Sequence, residues 1–333
     1  MEIIDHDDDD LDQGLTREQA QLLNASYEGS LFEVREAVLF LGAASLNVKD
    51  PMDGAGPLHL ACAGGHLEIV QYFVEQMNAN IHQVTNDGAT PLCLAVSDGH
   101  LHITRYLVDL GADPSHCLSD GATPLILACI QGHLEIVQYL ISECEVDARA
   151  ATRIGESPLF LAGQEGHLAI AAYLIDAGGA DVNQARNDGI APLNNACWAG
   201  HLGVARLLLR RGARADARDF NGQTALHVCA EKGADRAAAA LLAAGAAPGR
   251  GNARGQWPLR FALNDEFLAP GRRGDGLFHL LLAHGADVDG RDPRDGRTLL
   301  HGRCARGDAT KVGVLLAAGA APDAEDAAGD RPL

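Results

Sequence analysis

The sequence predicts an all-α repeat solenoid of paired antiparallel helices joined by β-turn or hairpin connections. Three observations lead there. Glycine-led segments recur at a near-constant spacing: GATPLCLAVSDGH starts at Gly88 and GATPLILACIQGH at Gly121, 33 residues later. Related starts fall at Gly54, Gly155, Gly189, Gly222, Gly255 and Gly296, with every step 33 or 34 residues except one of 41. Within each segment a capped apolar stretch ends at a glycine, and a second apolar stretch follows at helical spacing. Of 333 residues 47% are hydrophobic and only 5% aromatic, so the core is expected from Leu, Ile, Val and Ala. At about 150 residues per domain the length alone suggests two globular domains. A period running through the chain overrides that estimate, because each repeat then packs only on its neighbours.

The elements follow in order. Residues 1–15 hold seven acidic residues and no basic one and read as a disordered acidic tail. Residues 16–53 read as a degenerate N-terminal capping repeat that keeps Leu22, Leu23, Ala25, Gly29, Val34 and the ending Gly42-Ala43. Thr16 and Gln19 are spaced for a capping box there. Residues 54–328 form eight repeats. The first helix of a repeat opens on a hydroxyl N-cap with proline at the first helical position, as in Thr90-Pro91, Thr123-Pro124 and Ser157-Pro158. It stops at a glycine able to take the left-handed conformation: Gly65, Gly99, Gly132, Gly166 or Gly200. The second helix carries apolar residues such as Leu134, Ile136, Val137 and Leu140, and ends near Gly-Ala-Asp, as at Gly111-Ala112-Asp113. The pattern weakens toward the C-terminus. The repeat at Gly222 has Ala234 in place of the turn histidine and an alanine-dominated second helix, and the repeat at Gly255 carries an insertion near 265–275. Residues 329–333 read as the start of a truncated further repeat, so a fragment or an irregular end is expected.

The TPLH-like box, the Gly-His turn and the Gly-Ala-Asp ending, recurring together at this period, resemble ankyrin repeats across roughly residues 54–328. The resemblance implies a binding module that meets its partner on a concave face made by the connecting turns and the exposed side of the first helices. It also implies a second reading: the substrate-recognition region of a larger protein continuing beyond residue 333, such as a ubiquitin-ligase receptor, a kinase or a channel.

The residues point away from catalysis, metal and cofactor. His66, His100, His133, His167 and His201 share one column and His59, His227 and His301 another, which marks scaffold positions rather than clustered ligands. His100 and His102, two apart, are expected on different helix faces. Cys62, Cys129, Cys197 and Cys304 also share a column, with Cys229 beside it, and read as small buried core residues. The acidic run Asp7 to Asp10 lacks the glycine turn and ligand spacing of a calcium loop. Arg273-Gly274-Asp275 matches an adhesion tripeptide that chance alone supplies. No phosphate loop, dinucleotide glycine motif or nucleophile elbow is present.

The surface columns carry the functional reading. Trp198 stands out in a column of mostly small, polar or aliphatic residues, and Phe220 lies in the following turn. With Ile190 and Arg218 they have the composition of an interface hot spot, and Asp98 and Glu165 add acidic partner contacts. Charge is split along the chain: residues 1–188 hold 29 Asp/Glu against 7 Lys/Arg, and residues 189–333 hold 16 against 19. Asp87, Asp98, Asp120, Glu156, Glu165 and Asp188 mark the acidic half, and Arg218, Arg294, Arg297, Arg303 and Arg306 the basic one, a polarity that steers a charged partner into register. Arg206 and Arg210 read as a solvated helix face. The expected function is a non-catalytic protein–protein interaction scaffold, monomeric, with no cofactor. A net charge of -19 and the lack of basic–aromatic interleaving argue against nucleic acid, although anion binding by the Arg-rich half is a third reading. No apolar run spans a membrane. An acidic N-terminus and eight Cys without a CxxC pair place the chain inside the cell, in the cytoplasm with the nucleus open to it.

Overall fold

The computed structural model describes residues 14–263 and 275–332. Most of the acidic tail and of the insertion, with Arg273 and Gly274 of the adhesion-like tripeptide, lie outside the described residues. The chain is a succession of short helices and turns, and the described residues contain no strand. The helices run Arg17–Glu28 and Leu31–Leu41, then Pro57–Ala63 and Leu67–Gln71, Pro91–Ser97 and Leu101–Asp109, Pro124–Gln131 and Leu134–Ser142, Pro158–Glu165 and Leu168–Asp176. They continue with Pro192–Ala199 and Leu202–Arg210, Ala225–Lys232 and Asp235–Ala243, Pro258–Ala262 and Asp275–Ala283, Leu299–Ala305 and Ala309–Ala317. A π-helical turn, Tyr72–Gln76, extends Leu67–Gln71. The chain divides into two compact bodies. One holds the described residues up to Ala162 with Ala169–Ala180, and the other holds Gly163–Leu168 with the described residues from Asp181 onward.

Local chemistry explains the helix starts. Thr90 Oγ1 accepts the Cys93 N–H at 3.3 Å, Thr123 Oγ1 that of Ile126 at 3.3 Å, and Ser157 Oγ that of Phe160 at 3.2 Å. Proline follows each cap, where its missing N–H has no intrahelical partner to lose. The capping box at Thr16 is present: Thr16 N–H donates to Gln19 Oε1 at 2.9 Å and Gln19 N–H to Thr16 Oγ1 at 3.3 Å.

The Gly-His pair interlocks successive repeats. In the first body, the His133 imidazole Nε2 bonds the Ser97 carbonyl at 2.9 Å, His100 that of Ala63 at 2.8 Å, and His66 that of Tyr27 at 2.7 Å. Each ring lies against the glycine that ended the previous first helix. A Cβ built on Gly99 would sit 2.6 Å from the His133 ring, and Gly99 also has φ +86. Glycine is therefore required there twice, for the left-handed backbone and for the approach of the ring. In the second body His201 packs on Gly166 in the same way.

The expected separation of His100 and His102 is not what the structure shows. Their ring centroids lie 6.1 Å apart, and His102 reaches the Gly65 carbonyl at 3.3 Å. His100 is the N-cap rather than a helical residue, so the i,i+2 rule does not apply to it.

Turns are joined one to the next by single backbone bonds. In the first body Asn86 N–H donates to Asp53 O at 2.7 Å, Ser119 to Asp87 at 2.8 Å and Arg153 to Asp120 at 2.8 Å. In the second body Phe220 N–H donates to Asp188 O, Ala253 to Asn221 O and Ala327 to Asp295 O. One bond per junction is too few for a strand ladder, so the hairpin-like connections are turns. First helices pack in series within each body, Pro57–Ala63 on Pro91–Ser97 and Ala225–Lys232 on Pro258–Ala262. The core is aliphatic as expected, with Phe73, Phe160 and Phe278 added as its largest fully buried side chains. Cys62, Cys93, Cys129, Cys197 and Cys229 are buried, and Cys304 is only half-buried, which departs from the core role expected for its column.

Candidate functional site

Exposed aromatics occur in both bodies, Phe32 and Phe40 in the first and Trp198 and Phe220 in the second. Trp198 occupies the last turn of Pro192–Ala199 and is 58% exposed, with the Lys232 amino group 4.7 Å from its ring centroid. A cation over an indole face at an exposed site contributes about 0.5–1 kcal/mol, enough to bias the ring's position. Phe220 is 79% exposed and its ring edge rests beside Gly189, where a Cβ would meet it at 2.9 Å. Ile190, the next residue, is half-buried. Phe220 and Ile190 therefore mark the N-terminal end of the helix and Trp198 its C-terminal end, roughly 12 Å away at ~1.5 Å per residue. Trp198 does not fill a gap in the core.

Arg218 is exposed but structurally engaged. Its Nε donates to Gly222 O at 3.2 Å and its Nη2 to Gly251 O at 2.9 Å, so it braces two successive turns. Glu165 is exposed and accepts from Gln164 Nε2 at 3.1 Å. Asp98 belongs to the first body, where it caps Pro91–Ser97. Partial burial pushes its carboxyl above the ordinary range, against the opposing pull of His100 and His133.

The charge columns are less available than their sequence suggests. Asp120 Oδ1 accepts the Ala122 N–H at 2.8 Å, Asp188 Oδ1 that of Ile190 at 3.2 Å, and Asp87 Oδ1 that of Ala89 at 3.4 Å. These are Asx turns, in which the carboxylate folds its own loop. Arg186 also grips Asp188, and its guanidinium holds that carboxyl below the usual range. In the basic half, Arg294 pairs with Asp292 and Arg297 with Asp326. Arg303 is buried, 8% exposed, donating to Leu263 O at 2.8 Å. It is therefore not the surface charge its column implies. Arg206 and Arg210 lie exposed on Leu202–Arg210 as expected of a solvated face.

The histidine columns are engaged with backbone. His59 Nδ1 accepts the Gly56 N–H at 3.1 Å while Nε2 bonds Gln83 O at 3.2 Å; His227 repeats this with Thr224 and Gln256, and His301 with Thr298 and Asp330. Among the described residues no three His, Cys, Asp or Glu are grouped to hold a metal ion, and no helix is long and apolar enough to cross a membrane. Burial raises the thiol pKa of Cys62 and Cys129 far above the ordinary value, the opposite of an activated nucleophile.

Capped helix pairs, interlocked through glycine and histidine and joined one to the next by turns, define a helical repeat protein. The chain belongs to the ankyrin-repeat family: the family model for ankyrin repeats in three copies matches residues 22–116, 111–186 and 178–252. No curated protein matches the chain significantly. Helix pairs of the same kind continue beyond residue 252, where the motifs have decayed.

Proposed function

We propose that this chain is a non-catalytic protein-interaction scaffold of the cell interior, acting in the cytoplasm. Ankyrin repeats are protein–protein interaction modules, which gives the general class. The observation that supports the site is the pair of exposed aromatics, Trp198 and Phe220, at opposite ends of one first helix in the second body. Aromatic anchors of this size dominate interface energetics, and a folded scaffold has already met most of its ordering cost before binding. Ile190 adds apolar area beside Phe220, while Arg218 and Glu165 supply polar contacts. An extended segment of about four residues, at ~3.3 Å each, bridges the two rings. Asp98 provides an acidic contact on the first body. The chain acts as a monomer.

Affinity capture from cell extract, using the wild-type chain beside Trp198→Ala/Phe220→Ala, tests this reading. The expected result is a set of proteins retained by the wild type and lost from the variant, with affinity reduced about 30-fold or more and an unchanged melting temperature. Equal capture by both chains, or a large fall in melting temperature with unchanged affinity, overturns it.

A further inference from the structure

The second body holds a separate cleft of about 370 Å³ between the repeats that start at Gly255 and Gly296. This is within the size range of ligand sites, roughly 300–1,000 Å³. Its wall is basic: Arg260, Arg297, Arg303 and Arg306 line it, against Asp292 and Asp295, with Phe261 and Leu299 contributing apolar surface. A cleft lined by four guanidinium groups stands out in a chain of net charge -19.

Both lining carboxylates are already committed to the fold. Asp292 is buried and accepts from Arg260 Nη1 at 2.7 Å, Arg294 Nη2 at 2.8 Å and the Arg294 backbone N–H at 3.0 Å. Asp295 Oδ1 closes an Asx turn on the Arg297 N–H at 3.0 Å. Arg260 and Arg297, by contrast, are positioned with donors to spare. A guanidinium carries five N–H donors in a planar fork. Arg260 commits Nη1 to Asp292, which leaves Nε and Nη2; Arg297 commits Nε to Asp326 at 3.0 Å, which leaves both terminal amino groups. Arg303 is fixed from behind by the Leu263 carbonyl. These anchors reduce the rotamer entropy that long arginine side chains lose on binding.

We propose that this cleft binds an anionic oxygen group, carboxylate or phosphate, carried on a peptide segment of a protein partner. Planar forks held at fixed positions match the two-oxygen geometry of such groups and favour bidentate hydrogen bonding. Nucleic acid fits less well. Its affinity grows with the number of phosphates neutralised along a strand, and here the guanidinium groups converge in one cleft on a strongly acidic chain. The site is distinct from the aromatics at Trp198 and Phe220 and stands or falls without them.

The test is peptide binding to the full chain by fluorescence anisotropy. Three probes differ at one position set only: Asp with Gly, phosphoserine with Gly, and serine with Gly. The expected result is binding of one or both acidic peptides at least about tenfold tighter than the serine peptide, weakening as salt rises. Phosphoserine above Asp assigns the site to phosphate, and the reverse assigns it to carboxylate. Arg306→Gln, at an exposed position, should weaken acidic-peptide binding with an unchanged melting temperature; Arg297→Gln should weaken it too but lower the melting temperature, because Asp326 loses its partner, while Trp198→Ala leaves binding intact. Equal affinity for the serine peptide, indifference to both arginine variants, or tighter binding of a single-stranded oligonucleotide of equal charge overturns the proposal.

Discussion

His59 shows how one side chain ties two repeats together and makes that tie sensitive to acid. Its Nδ1 accepts the Gly56 N–H, which only a neutral ring can do, so the proton sits on Nε2 and is donated to Gln83 O. Burial, opposed by the Gln83 carbonyl, lowers its pKa from 6.5 to about 4. His227, in the same column, is lowered by burial as well. The unfolded chain takes up these protons below ~6.5 while the folded one resists. The stability they contribute is full above that pH and is lost as pH falls through their lowered pKa values, about 4 for His59. Asp292, Asp188 and Asp326 are held below the ordinary carboxylate range by their arginine partners, so their contribution is lost only at lower pH. The melting temperature should therefore fall in two stages. His59→Asn should cost about 1–3 kcal/mol at pH 7 and flatten the first stage. Thermal melts of both chains from pH 8 to 3 would show it, and an identical profile would count against the assignment. Asn194, which replaces histidine in this column, bonds Ala217 O at 3.4 Å and leaves its buried Oδ1 without a partner.

At the scale of the helix, the endings are as specific as the beginnings. Second helices close on a left-handed residue, glycine at Gly111, Gly212, Gly245 and Gly285. Two repeats break the rule: Asn78 at φ 59 and Glu145 at φ 54 occupy the same column. Asparagine tolerates this region through its short polar side chain, and glutamate does not. Glu145 is exposed, so no buried packing offsets the strain. Replacing it with glycine should raise stability by about 1 kcal/mol, since the backbone is already in the glycine conformation. Urea denaturation reads this as a higher midpoint at constant slope. A lower midpoint would mean that the side chain has a stabilising contact or that the added chain entropy outweighs the relief. The Asp of Gly-Ala-Asp works in the next loop, where Asp113 Oδ1 accepts the Ser115 N–H and Asp147 Oδ1 that of Arg149, both at 2.8 Å.

For the whole molecule, stability in a repeat array is a sum over repeats and their junctions. Those terms weaken toward the C-terminus. Ala237 fills a core position in the repeat at Gly222 where earlier repeats bury Ile69, Ile103, Ile136, Ile170 and Val204, and alanine buries less apolar area. Trp257 stands where other repeats have a hydroxyl N-cap, offers no cap bond, and leaves its buried Nε1 without a partner. The helix that follows, Pro258–Ala262, has five residues. Amide hydrogens in the repeats from Gly222 onward should exchange faster than those between Gly88 and Asn221. Hydrogen-exchange mass spectrometry on the intact chain measures this, and uniform protection would refute it.

The sequence by itself determined the period, the helix pairs and their caps, because those features rest on interactions a few residues apart. Thr90, Pro91 and Gly99 are read correctly for that reason. It also placed His66, His100 and His133 in a scaffold column, though not their contact with the glycine of the preceding repeat and with its carbonyl, the latter 36 to 39 residues earlier. Tertiary structure alone decided which charges remain available. Arg303 is buried against Leu263 and Arg218 reaches the Gly251 carbonyl of the next turn, yet both look like free surface charges in a column of letters. The same holds for the arginine cleft, whose walls come from Arg260 and from residues more than thirty positions later. Caps and turns are local and can be read from neighbours in sequence. Burial, ion pairing and the convergence of guanidinium groups depend on which repeats meet in space, and only the packed repeats fix that.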